Sequence, residues 1–345
     1  MIYTLRGRQS GIWVNILPTS DSISWGSDKD TLAVDLSFTS LRDLTEGTIV
    51  QLLIDSKLTI MGSVIKKSKT KNQFSYSCQD FARVLGKNET IIQFNKISAS
   101  DAIKQLCSKF GVKCNVVDID FVVQEEKKST VKSKADKTIN LKSGKTKVTK
   151  RVVSTKITTM IKKIFKDQTL SDIIEEILEQ ATSEKGIKYV KEMIGDTLYI
   201  RKLADYKIFP TFILASDLSV NSSIEEMKNK ILVVSSDEKN NRILATASDP
   251  KNINIYGSFQ EVITVEQKDM SKASNIATNR LKETNKVFKD TTLNIIVISG
   301  GEEIRANRMI SLKIASMGLN GWYNIKSCSN SLQNGNFKSA INIEW

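Results

Sequence analysis

Apolar and polar residues alternate with period two through much of the first 95 positions. Leu32, Val34, Leu36 and Phe38 are separated by Ala33, Asp35 and Ser37, the spacing that turns one face of a strand into a core. Val50 to Ile54 leads through Asp55-Ser56-Lys57 into Leu58 to Ile65, and the turn Thr70 to Gln73 returns the chain as Phe74 to Cys78. Short strands broken by polar turns predict a small antiparallel barrel or sandwich over residues 1–95.

From Ser98 the period lengthens. Ser98-Ala99-Ser100-Asp101 has the form of a capping box with Asp in place of Glu, and Ile103, Leu106, Cys107 and Phe110 follow at helical spacing until Gly111. The same arrangement returns with Thr169 and Asp172, where Leu170, Ile173, Ile174, Ile177, Leu178 and Ala181 share one face. A hairpin over 187–201, turning at Gly195-Asp196, completes a middle α+β domain over 96–205. Residues 206–345 read as a second barrel with one helix, about 271–285. Its strands include 231–235 and 243–247, about a polar turn at 237–241, and then 293–299, 309–315, 322–328 and 337–345. The expected fold class is therefore α+β, mainly β: two small antiparallel barrels flanking a middle α+β domain.

Two segments share an order of features. Residues 31–81 and 292–345 each run strand, connection, strand, short turn, strand, polar turn, strand, with little residue identity. Such agreement in spacing predicts two similar units in one chain. Three copies of the chain would then present six similar units in a ring.

Charge sharpens one region. The chain has 345 residues and a formal charge of +13, and the stretch 127–166 holds fourteen Lys or Arg against Asp136 alone. That stretch carries the whole excess, so the remainder is formally neutral. Within it a hairpin is expected from Thr138 to Thr155, turning at Lys142 to Lys145. The stretch reads either as a mobile, solvated loop or extended hairpin or as a surface that docks on an acidic partner, with Lys142, Lys145, Lys147, Lys150 and Arg151 as the candidate contacts. The stretch holds no aromatic residue before Phe165, which disfavours single-strand nucleic-acid binding by stacking.

Catalytic chemistry is narrowed by the absence of histidine. Ser-His-Asp and Cys-His nucleophiles, His-ligated zinc and proximal-His haem are all excluded. Cys78, Cys107, Cys114 and Cys328 lack CxxC spacing and read as reduced, half-buried apolar residues. Glu175 and Glu179 lie at i, i+4 on the solvent side of the predicted second helix, a charged face and not an acid/base pair. Ser299-Gly300-Gly301 lacks the frame of a phosphate loop. No cofactor or metal is expected, and no stretch approaches the 18 apolar residues of a membrane span.

In order along the chain, Trp25-Gly26, LAVDLSF, EGTIVQLL and IMGSVIKK, then SASDAIKQLCSKFGV, IFKDQTLSDIIEEILEQA and DTLYIRKL, then NKILVVSS, IYGSFQEVITVEQKD and IATNRLKETNK resemble the contractile-tail baseplate hub proteins of phages. The resemblance is to the XkdQ type, related to the late-control D protein and the hub of T-even phages. Two departures stand out: Asn307 occupies a position where that family tends to have glycine, and a histidine frequent near Ser329 is absent.

The resemblance implies a structural protein and not an enzyme. It implies a homotrimeric ring that adapts a six-fold tail tube to a three-fold central spike, in a phage or a phage-tail-like bacteriocin (tailocin). Its partners would be the tube protein, the spike protein and baseplate wedge or tape-measure proteins, with DNA only during ejection and no membrane. It would reside in the virion baseplate after assembly in the bacterial cytoplasm. Edge strands, the loops after Ser24 and Gly318, and Trp25 and Trp322 are the candidate contacts. Two alternatives are a tail-tip cell-wall hydrolase and a nucleic-acid-binding protein using the lysine-rich stretch.

Overall fold

The structure, a computed structural model, describes residues 1–117, 119, 121–129, 149–236, 242–333 and 335–345, with the side chains of 121–129, 149–157 and 268 left out. Strands dominate, as the alternation predicts. The N-terminal strands are β1 (Tyr3–Gln9), β2 (Ile12–Asn15), β3 (Ser20–Asp28), β4 (Thr31–Ser40), β5 (Ile49–Ile54), β6 (Lys57–Lys69) and β7 (Phe74–Asp80). The middle elements are α1 (Ala82–Lys87), β8 (Glu89–Ser98), α2 (Ala99–Lys109), β9 (Lys113–Val116), β10 (Phe121–Ser129), β11 (Thr149–Ile157), β12 (Met160–Thr169), α3 (Leu170–Lys185), β13 (Tyr189–Ile194) and β14 (Thr197–Lys202).

The rest of the chain starts with β15 (Lys207–Ile208), β16 (Thr211–Leu214) and β17 (Asn221–Ser223). Next come β18 (Lys230–Ser235), β19 (Ile243–Ser248), α4 (Pro250–Tyr256), β20 (Gln260–Val265) and α5 (Ala273–Thr284), and last β21 (Phe288–Ser299), β22 (Met309–Ile314), β23 (Leu319–Gln333) and β24 (Asn336–Glu344). Where the periodicity predicts one helix after residue 206, the described residues hold two α-helices: α4 starts at Pro250 behind the Asp249 cap, a start signal that its short length leaves without a clear apolar stripe.

The two expected barrels are not separate. Their strands join one curled 14-stranded sheet, ordered β16-β21-β24-β23-β3-β4-β7-β6-β5-β1-β2, because β3 pairs with β4 on one side and with β23 on the other. Leu36, Phe38, Leu52 and Tyr76 from one end of the chain share a core with Leu293, Leu312, Phe337 and Ile341 from the other. Each such side chain buried contributes roughly 1.5–3 kcal/mol.

The echo between the two ends is present as topology. Residues 31–80 form strands in the order β4-β7-β6-β5, and residues 288–344 form the same order, β21-β24-β23-β22. The correspondence extends to single bonds. Val64 N donates to Thr48 O at 2.9 Å and Gly47 N to Val64 O at 2.8 Å; Ile325 N donates to Arg308 O and Asn307 N to Ile325 O, both at 2.9 Å. Gly47 (φ +85°) and Asn307 (φ +59°) both take the left-handed conformation this connection needs, one that Asn tolerates better than most residues. A register shift follows Val64 in β6 and Ile325 in β23.

A second core holds the middle elements: Ile103, Leu106 and Cys107 of α2 pack with Ile173, Ile174, Ile177 and Leu178 of α3. Both caps form as the sequence predicts, Ser98 Oγ accepting from Asp101 N and Thr169 Oγ1 from Asp172 N, each at 3.1 Å. Gly186 ends α3 in the left-handed conformation. Residues 230–284 build a third, small unit in which α5 covers one face of the sheet β19-β18-β20. The four cysteines are free, and burial pushes the Cys78 thiol up to about 12. Among the described residues no helix is long and apolar enough to cross a membrane.

Candidate partner interface

The sheet presents its small residues outward. Ser331, Ser24, Ser37 and Ser77 lie side by side across β23, β3, β4 and β7, beside a row running through Ala340, Ser329, Gly26, Asp35 and Gln79. Their neighbours in sequence, such as Leu36, Phe38 and Cys78, point into the core. This is why Trp25 is not a contact residue: it is 3% exposed, its ring 4.9 Å from that of Phe337, at the seam where β3 meets β23. Ser24 likewise lies within β3 and starts no loop. Gly318 ends an exposed turn before β23 with φ +67°.

Trp322 is half-buried and belongs to a surface group. Phe209, 71% exposed, meets its ring edge-on at 5.0 Å, and Lys207 Nζ stands 5.0 Å above it, the geometry of a cation–π contact. Of the basic candidates, Lys142, Lys145 and Lys147 lie outside the described residues. Lys150 and Arg151 are in β11, opposite Lys128 and Lys127 of β10. The described pairing joins 121–129 to 149–157; the turn expected at Lys142 to Lys145 lies outside the described residues.

The edges of the sheet differ in charge. Beyond its pairing with β5, β6 continues as Ile65-Lys66-Lys67-Ser68-Lys69, hydrogen-bonded to β7 on one side and, among the described residues, to no strand on the other. At the far end, among the described residues, β17 pairs only with β21, and Asp217, Glu225 and Glu226 flank it, all exposed. Ile213, Leu214 and Ile298 are exposed apolar residues at the same end.

A buried ionic group, missed by sequence reading, fastens the middle elements to the sheet. Glu192 Oε1 of β13 accepts from Arg305 Nη1 at 3.0 Å and from Arg308 Nη2 at 2.5 Å, and all three side chains are at most 12% exposed. Arg305 also donates to Met193 O and Thr59 O, and Arg308 to Glu303 O and Tyr206 Oη. Burial pushes Glu192 upward, but Arg308 and Arg305 outweigh it and hold the carboxyl below its ordinary range. Asp80, at the end of β7, is raised to about 7: burial dominates over the nearby Arg305 and two backbone N–H donors. The available signal was scarcity, since only ten residues of this lysine-rich chain are arginine and two of them stand three apart.

A cleft of about 1090 Å³ is lined by α3, α5 and β20. Two acids of its wall are paired, Glu175 with Lys191 at 2.7 Å and Glu176 with Lys163. Glu179 is raised by burial and then by those two carboxylates. Glu175 and Glu179, the face expected to be solvated, are both exposed, and Glu175 also meets Lys191.

Comparison with known proteins gives the fold its relatives. A tail protein from Neisseria meningitidis MC58 matches at a TM-score of 0.65 with 11% identity, over 99% of this chain and 96% of that one. The 43 kDa tail protein of prophage MuSo2 from Shewanella oneidensis matches at 0.62 with 12% identity, over 99% and 98%. The prophage tail protein gp18 from Listeria monocytogenes EGD-e matches at 0.59 with 11% identity, over 99% and 94%. At that identity the likeness is one of fold. No curated protein sequence matches the chain. The YQBQ-like sequence profile matches residues 23–130 and 121–344, nearly the whole length, and the chain is therefore a member of the YQBQ-like family.

Proposed function

We propose that this chain is the baseplate hub of a contractile phage tail or of a phage-tail-like bacteriocin, of the XkdQ type, and that three copies form a ring. The observation that carries the reading is the duplicated strand order, β4-β7-β6-β5 and β21-β24-β23-β22, joined in a single sheet. Two like units per chain give a three-fold ring six similar stations. Such a ring faces a six-fold tube with its sheets and a three-fold spike with its middle domains. The full-length likeness to three tail proteins supports the same role. The lysine-rich stretch 127–166 would contact acidic surface on the spike or on wedge or tape-measure proteins, and DNA phosphates only during ejection; such contacts weaken with salt. The hub would act without catalysis, in the baseplate, after assembly in the bacterial cytoplasm.

Deleting the gene in the strain that carries it tests this. Electron microscopy should show no assembled tails, with tails restored by the gene in trans. Intact, spike-bearing tails in the deletion strain would contradict it.

A further inference from the structure

The repeat marks out its own missing partners. Within the chain, β3 crosses from one unit to the next: it pairs with β4 of its own unit and with residues 327–332 of β23, through Ser27↔Cys328, Gly26↔Ser329 and Trp25↔Asn330. Matching the register shifts after Val64 and Ile325 sets Lys66 to Lys69 of β6 on Ser327 to Asn330 of β23. On that alignment the outer edge of Lys66 to Lys69, left unpaired among the described residues, is the edge that β23 gives to β3.

The counterpart of β3 is found in the same way. Asp35 pairs with Gly26 and with Gln79 of β7; Asp290, the matching position of β21, pairs with Asn221 of β17. β17 therefore stands to β21 as Gly26 to Asp28 stand to β4, and its outer edge is also unpaired among the described residues. Leu218 and Val220, half-buried, repeat the inward alternation of Ile23 and Trp25.

We infer that the edge formed by residues 218–223 pairs antiparallel with residues 66–71 of a second copy of this chain, in the register Ser222↔Lys67, Asn221↔Ser68. The occupant is argued from three observations. The chain already makes this joint once, between β3 and β23. Lys66, Lys69 and Lys71 are exposed on one edge, and Asp217, Glu225 and Glu226 are exposed on the other. On that register Lys71 comes beside Asp217, and Lys66 lies near Glu225. The exposed Ile213, Leu214 and Ile298 lie at the same end of the sheet. Unpaired edges with their backbone groups free are ready pairing surfaces. The contact is heterologous, so it closes into a ring or runs on as a filament according to its rotation. The register rests on the repeat; the copy number rests on the ring proposed above.

Two single variants, Asn221→Cys and Ser68→Cys, test it when mixed and oxidised. Neither should cross-link alone, while the mixture should give a disulfide-linked dimer and the double variant a ladder ending at trimer. Since a cysteine could disturb folding, charge provides an independent route. Lys66→Glu with Lys71→Glu should weaken assembly about tenfold or more at low salt, and Asp217→Lys with Glu225→Lys should restore it. A wild-type trimer whose cysteine mixture never cross-links and whose charge variants assemble normally would overturn these edges while leaving the ring intact. Cross-linking that runs on to long filaments would keep the edges and overturn the ring. A protein that stays monomeric and forms no interchain disulfide would overturn both.

Discussion

Asp80 and Glu192 stand in the same buried junction and titrate in opposite senses. Asp80 is raised to about 7, well above its unfolded value of 3.8, so its protonated form is favoured in the fold. The stability it contributes is complete in acid and falls as pH rises through about 7. Asp80→Asn should therefore flatten the melting temperature between about pH 4 and 7, because each tenfold change in a proton-binding constant on folding corresponds to about 1.4 kcal/mol. An unchanged slope would show that Asp80 is not the group responsible. Glu192 is lowered, so its contribution is present above the ordinary carboxylate range and lost as pH falls through its depressed value. Glu192→Ala would strand two buried guanidinium groups and should cost about 3–5 kcal/mol in a urea titration, far more than a surface ion pair. Beyond the close spacing of two scarce arginines, little of this was legible beforehand: Asp80, Glu192 and the Arg305/Arg308 pair are far apart in sequence, and only the closed fold brings them together. Trp25 failed for the opposite reason, since a tryptophan ahead of Gly26 looks like a surface aromatic until β23 covers its strand.

At the scale of elements, local chemistry was readable wherever it suffices to fix structure. Ser98 and Thr169 start their helices as the sequence indicates, and Thr169→Ala should cost about 1 kcal/mol of stability by chemical denaturation. Gly62 is a less visible requirement. A Cβ there would meet Gln79 O at 2.2 Å, where β6 passes β7. Because the obstacle is backbone, no rotamer relieves it, and Gly62→Ala should destabilise by about 1–3 kcal/mol. A melting curve matching that of the unaltered protein would contradict so tight a crossing. The unit over 230–284 escaped notice because strand periodicity cannot say which sheet a strand joins. β18 pairs with β19 and β20 and not with the large sheet, a choice made by α5 packing on Ile231 and Val233. The polar turn at 237–241, expected from sequence, lies outside the described residues.

Across the whole molecule, the echo between residues 31–81 and 292–345 was the most informative pattern in the chain, although identity between the two is low. What it could not reveal was continuity. Two meanders that look like independent barrels form one sheet because β3 pairs with a strand about 300 residues away, and no local periodicity encodes that distance. The continuity gives the repeat its consequence, since a chain that joins its own two units edge to edge leaves, among the described residues, one matching edge unpaired at each place where the joint could recur. Light scattering of the purified protein after size exclusion tests the central claim most directly: three copies of 38.6 kDa should elute as one species at about three times that mass. A monomer or a stable dimer at all concentrations would contradict the three-fold hub.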